Sequence, residues 1–293
     1  MMRIDHREKD LENHDRGLDY DLPRLLHRRG MLKLVAGAGL AGAGLITLGA
    51  CAAATSTADT DSAQGGTPPG RGDGPGGGSA QTSDTANGEI PEETSGPYPG
   101  DGSNGANVLT QSGIVRGDIT SSFGSSTTKA EGVPLGITMT INDFANNKSP
   151  LAGGAVYVWH CDREGRYSLY SQGVTDENYL RGVQETDDRG QVRFTTIFPA
   201  CYSGRWPHIH FEVYPSLAKA TSSASKIATS QMALPEATAK AVYATNGYKQ
   251  SVSNLSRVSL ASDNVFSDGY DLQMPTVKGD PSSGYELTFS CAG

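Results

Sequence analysis

Basic charge is scarce in this chain. Its 293 residues carry 24 Lys and Arg against 32 Asp and Glu, a formal charge of −8. Beyond residue 50 the balance is 16 against 25, or −9, which argues against nucleic acid or an anionic lipid surface as a partner. Histidine is scarcer still: of six in all, only His160, His208 and His210 lie beyond residue 50. Cysteine is limited to Cys51, Cys161, Cys201 and Cys291. In an oxidising compartment two of the last three are expected to pair, with Cys161–Cys201 the favoured choice. Large apolar residues are nearly missing from Ala52 to Asn87, so that stretch cannot bury enough surface to order itself. There is no internal repeat.

What is present falls into three parts. Residues 1–50 carry Arg28-Arg29-Gly30-Met31-Leu32-Lys33, a twin-arginine export signal, followed by an uncharged stretch from Leu34 to Ala50. That stretch is interrupted by glycines and is short for a spanning helix. Leu48-Gly49-Ala50-Cys51 resembles the lipobox of bacterial lipoproteins, so the chain is expected to be exported and held at the cell envelope by a lipidated Cys51, its one link to a membrane. Residues 51–88 read as a flexible tether of about 35 Å. The remainder, 89–293, suits one domain.

That domain shows short β-type runs rich in Val, Ile, Thr, Tyr and Phe: Gly113–Ile119, Leu135–Asn142, Ala155–Cys161, Gln191–Ile197, His208–Tyr214, Ser230–Leu234 and Tyr285–Cys291. One short helix is expected over Pro235–Ala244. The fold class is therefore all-β, an antiparallel β-sandwich of about seven or more strands with little helix. On one of these runs His208 and His210 alternate with Ile209, so both imidazoles share a strand face and can grip one metal ion.

Two stretches carry a resemblance. One runs from Ala155 through Gly165-Arg166-Tyr167-Ser168, the other from Thr195 through Tyr202-Ser203-Gly204-Arg205-Trp206-Pro207-His208-Ile209-His210. With the opening Glu93-Thr94-Ser95-Gly96-Pro97-Tyr98, they resemble the intradiol ring-cleavage dioxygenases, the family of protocatechuate 3,4-dioxygenase and catechol 1,2-dioxygenase. The resemblance implies a non-haem Fe(III) held by Tyr167, Tyr202, His208 and His210, since phenolate is a hard anionic donor suited to ferric iron. It implies Tyr202 as the ligand that incoming substrate displaces and that takes up a proton, and Arg205 as the cation that stabilises the electron-rich catecholate. Gln231 would hydrogen-bond near the substrate. The implied partners are a catecholic small molecule and O2, and the implied product is a cis,cis-muconate-type diacid.

Taken singly, the same residues have plainer readings. Tyr167 suits a strand-end aromatic, Tyr202 a turn, and Arg205 a stack on Trp206; His160 reads as structural rather than as a ligand. Two further hypotheses stand beside the enzyme: a non-catalytic surface module binding aromatic or carbohydrate ligands, and a Zn(II) or Cu(II) site built on His208 and His210 without tyrosinate. The chain also departs from the cytoplasmic enzymes. Only five residues separate Tyr202 from His208, which predicts a more open pocket. No helical segment of the kind used for dimerisation precedes the domain, so assembly stays open.

Overall fold

The computed structural model describes residues 88–293. The expected leader (1–50) and all of the expected tether but Gly88 lie outside the described residues. Among those described, no helix is long and apolar enough to cross a membrane.

Among the described residues nine strands form two sheets. In the first, β1 (Pro134–Asp143) pairs along one edge with β5 (Gln191–Ile197) and the two-residue β2 (Ser149–Pro150). Its other edge pairs with β9 (Gly284–Ala292), which carries β8 (Thr276–Asp280) beyond it. Leu135, Ile137, Met139 and Ile141 are buried and alternate with Thr138 and Thr140, the period-two pattern of a sheet with one face packed. Tyr285, Leu287, Phe289 and Cys291 repeat it on β9. The β1–β9 pairing is parallel, the one parallel ladder in a β-sandwich that is otherwise antiparallel, as expected.

The second sheet runs β4 (Arg181–Glu185), β3 (Ala155–Trp159), β6 (His208–Tyr214), β7 (Ala228–Ala233), all antiparallel. Val156 and Val158 on β3 and Ile209, Phe211 and Val213 on β6 face the first sheet in the main core, where the Phe211 and Phe289 rings meet at 5.6 Å. Every residue of β6 is buried, so its second face is covered as well. The cover comes from the segment that precedes β1. Glu93 donates its backbone N–H to Thr229 on β7, and Ile90 donates to Ala292 on β9.

The run Gly113–Ile119 is not a strand. It makes isolated parallel bridges, Val115 to Val183 and Asp118 to Thr195, and so ties an edge of each sheet to the other without joining a ladder. Three strands escape the sequence pattern: β2, β4 and β8. On β4, Arg181 and Gly182 break the apolar run; β8 is almost wholly exposed. The helix α1 (Glu236–Tyr243) falls inside the expected range, and a second, α2 (Lys249–Leu255), follows it. Cys161 and Cys201 do not pair. Both are buried free thiols, as is Cys291; Cys161 Sγ is turned to the Ala200 carbonyl at 3.6 Å and Cys201 Sγ to the Arg205 carbonyl at 3.4 Å.

Candidate active site

Strand period places the centre. On β6 the residues His208, His210, Glu212 and Tyr214 share the face turned away from the main core. Register brings Trp159 opposite His210 on one side and Gln231 opposite it on the other. The Trp159 indole stacks on the His210 ring at 4.8 Å and 6°, which fixes the imidazole plane. His208 Nδ1 lies 2.5 Å from the Trp206 carbonyl, so that nitrogen carries the proton and Nε2 presents a lone pair.

Three polar atoms converge there. His208 Nε2 is 3.1 Å from His210 Nε2 and 3.3 Å from Tyr202 Oη. The Tyr167 ring stands edge-on to both Tyr202 and His210, at 5.9 Å and 6.2 Å. All four expected ligands are thus assembled in one place. Burial holds both histidines neutral: His208 falls to about 3, with the Arg205 charge as the second cause, and His210 falls well below its ordinary value. Burial also raises the Tyr167 phenol, helped by the neighbouring Tyr202. Two neutral imidazoles and two phenols on one point suit a hard trivalent ion that can displace the phenolic protons. Among the described residues no three His, Cys, Asp or Glu gather round a metal-sized point, which leaves the zinc or copper reading short of the usual third ligand.

The loops bearing the tyrosines are braced from outside. Tyr202 follows a stretch pinned by both helices. Tyr243 and Tyr248 donate to the Pro199 and Phe198 carbonyls, at 3.0 and 2.7 Å, while Ser251 and Asn254 on α2 bond the Cys201 backbone. Tyr167 sits on a loop held by Arg181, a residue sequence reasoning missed. Its fully buried guanidinium donates to Ser168 Oγ and the Ser168, Tyr98 and Pro99 carbonyls at 2.9–3.0 Å, and to Tyr157 Oη. All five N–H groups are used without a carboxylate.

Arg205 is buried beside the imidazoles. Its Nε donates to Asp263 Oδ2 at 3.0 Å and its Nη2 to Gln231 Oε1 at 2.7 Å. Gln231 in turn donates from Nε2 to the Thr94 carbonyl at 2.9 Å. Asp263 was also missed by sequence reasoning, since nothing near it forms a motif. Its carboxylate accepts from the backbone of Trp206, Val265 and Phe266 as well as from Arg205, and the Arg205 charge holds it below its ordinary value against the cost of burial.

The opening motif lies over the centre. A Cβ added at Gly96, whose φ is +69°, would stand 3.3 Å from His210 Cε1, so only glycine allows this approach. Tyr98 packs on Tyr167 at 5.0 Å. Lys226 anchors the segment by donating to Ser95 Oγ at 2.9 Å and to Glu212 at 2.8 Å. Burial lifts the Glu212 carboxyl to about 7. His160, as expected, stands apart, bonded to the Cys161 carbonyl and Thr196 Oγ1.

The chain is similar to known dioxygenases. Residues 118–221 match a protein-family model described as Dioxygenase. An intradiol ring-cleavage dioxygenase from Tetranychus urticae has the same fold, with a TM-score of 0.55 at 26% identity over 70% of this chain and 94% of that one. A second solved dioxygenase gives 0.54 at 25% over 70% and 93%. A chlorocatechol 1,2-dioxygenase from Rhodococcus opacus is 33% identical over 54 residues, 18% of this chain; the match spans about a fifth of that relative's length, 21%.

Proposed function

We propose that residues 89–293 form a non-haem Fe(III) catalytic domain of the intradiol ring-cleavage type, a reading supported by the match to a dioxygenase family model and by the fold shared with an intradiol ring-cleavage dioxygenase. The domain opens catecholic rings between the two hydroxyl-bearing carbons with O2, giving a cis,cis-muconate-type diacid. The carrying observation is the convergence of His208 Nε2, His210 Nε2 and Tyr202 Oη within 3.1–3.3 Å, with Tyr167 beside them. Ferric iron on these four residues would supply an electrophilic centre that chelates a deprotonated catechol. Tyr202, half-buried where Tyr167 is fully buried, would be the phenol that gives way to substrate and accepts a catechol proton. Arg205 brings a fixed positive charge to the ring, aimed by Asp263 and Gln231 before substrate arrives, so little reorganisation is needed as negative charge builds. The stack of Tyr157, Trp159 and His210 and the Gly96–Tyr98 cover exclude water from the imidazole side.

Export by the twin-arginine route and lipid anchoring at Cys51 complete the proposal, on the motifs of residues 28–33 and 48–51. Palmitate labelling that survives in a Cys51→Ser variant would remove the anchor. The deciding experiment for the enzyme is a visible absorption spectrum of the purified protein, before and after catechol without air. A red-brown band that shifts with catechol supports a ferric tyrosinate that chelates substrate. A protein that stays colourless after iron reconstitution overturns the proposal in favour of a binding module.

A further inference from the structure

Three of the seven residues of α2 are buried, and two of those are polar: Ser251 and Asn254, beside Leu255. Leu255 packs into the main core and seats the helix. A buried polar side chain costs free energy unless it is hydrogen-bonded. These two lie one helical turn apart on one face, and both bond the backbone of a single residue. Ser251 Oγ accepts from the Cys201 N–H at 3.1 Å, and Asn254 Nδ2 donates to the Cys201 carbonyl at 2.9 Å. Gln250 donates to Asn254 Oδ1 at 3.3 Å, which keeps the NH2 end of that amide on the carbonyl.

The Cys201 carbonyl shares a peptide plane with the Tyr202 N–H, so α2 fixes the plane from which Tyr202 departs. The far end of the turn is fixed as well, since Trp206 donates its N–H to Asp263 Oδ2 at 2.7 Å. Between these planes run Tyr202, Ser203, Gly204 and Arg205, closed by the Arg205 N–H on the Tyr202 carbonyl at 3.4 Å. That bond is long, and Gly204 within the turn is exposed with φ +80°. The Tyr202 hydroxyl, 3.3 Å from His208 Nε2, is therefore aimed through a short turn whose starting plane belongs to α2.

We propose that Ser251 and Asn254 are positioning residues for Tyr202. By holding the two peptide planes of Cys201 they keep the phenol turned to His208, and so set how readily it gives way to substrate. The inference rests on the dioxygenase reading for what displaces Tyr202, but the hold on Cys201 needs no metal.

Asn254→Leu removes the donor at similar side-chain size; Ser251→Ala removes the acceptor and repeats the test should the first variant fold poorly. Fluorotyrosine labelling of the metal-free protein reads the hold by fluorine NMR, the Tyr202 resonance being identified by its loss in Tyr202→Phe. In either variant a solvent-like Tyr202 signal should grow about fivefold, the worth of one hydrogen bond, while the other tyrosine resonances stay in place. On the iron-loaded protein, catechol is titrated without air by visible absorption. Its Kd should fall about fivefold in Asn254→Leu, because a loosely held Tyr202 resists displacement less. In a Tyr202→Phe background the same substitution should leave Kd unchanged. A Tyr202 signal that ignores both variants, or a Kd change that persists without the Tyr202 hydroxyl, would overturn the inference. A protein that takes up no iron overturns the dioxygenase reading instead, and the fluorine signal still decides whether α2 aims Tyr202.

Discussion

At the scale of single residues, the centre depends on groups that cannot easily be exchanged for near relatives. Tyr202→Phe removes one phenol and nothing else; iron should still bind, more weakly, while turnover falls sharply, as iron assay and O2 uptake would show together. Asp263→Asn leaves Arg205 buried without its counter-charge. Breaking such a pair costs about 3–5 kcal/mol, so the denaturation midpoint should fall by that equivalent and turnover with it. His160 sets an acid limit. Burial lowers it from 6.5 to about 4, so the unfolded chain takes up the proton first. The stability its neutral form contributes is complete above 6.5 and is lost as pH falls through 4. Thermal melts should show that slope, and His160→Gln should reduce it by one proton's share, His208 and His210 keeping the rest. The shared face of His208 and His210 was legible in their spacing, while Tyr167 and Tyr202 were named only through the family resemblance; the structure brings the four side chains together. Asp263 and Arg181 were not legible, because their value comes from partners 58 and 82 positions away.

At the scale of elements, β6 does most to assemble the centre, and its pattern was readable because a two-residue period has only one alternative face. The runs Gln191–Ile197 and His208–Tyr214 match their strands end to end. β4 was illegible for a physical reason: a buried arginine satisfied by carbonyls looks, in sequence, like a surface residue. The expected Gly113–Ile119 strand had the right composition but lies between two sheet edges, where neither offers it a full ladder. The covering segment yields a prediction of its own. Gly96→Ala forces φ +69° on a residue with a side chain and presses a methyl on His210, so iron affinity should drop while the melting temperature changes little. Chelator competition measures the first and calorimetry the second.

At the scale of the whole molecule, the three thiols bear on how the domain holds together. Cys201 and Cys291 are pushed to about 12 by burial, and Cys161 well above its ordinary value, so none is a ready nucleophile. Added reductant should leave the melting temperature unchanged, and alkylating reagent should reach Cys161, Cys201 and Cys291 only after denaturation. A melt that shifts with reductant would mean a disulfide had formed after all. The two-sheet architecture was legible because the alternating runs of β1, β5 and β9 admit one buried face each. The strand order was not, since nothing local says that the last strand lies beside the first.

That last feature governs how the chain can be made. With β9 inserted between β1 and β8, the first sheet lacks its middle until Gly284–Ala292 has been synthesised. A growing chain whose β9 is still inside the ribosome exit tunnel cannot close this sheet, and the face of β1 meant for the core stays wet meanwhile. Closure of the sheet must therefore wait until β9 has emerged, and a polypeptide cut short before that strand would reach the quality-control machinery as an open half-sheet.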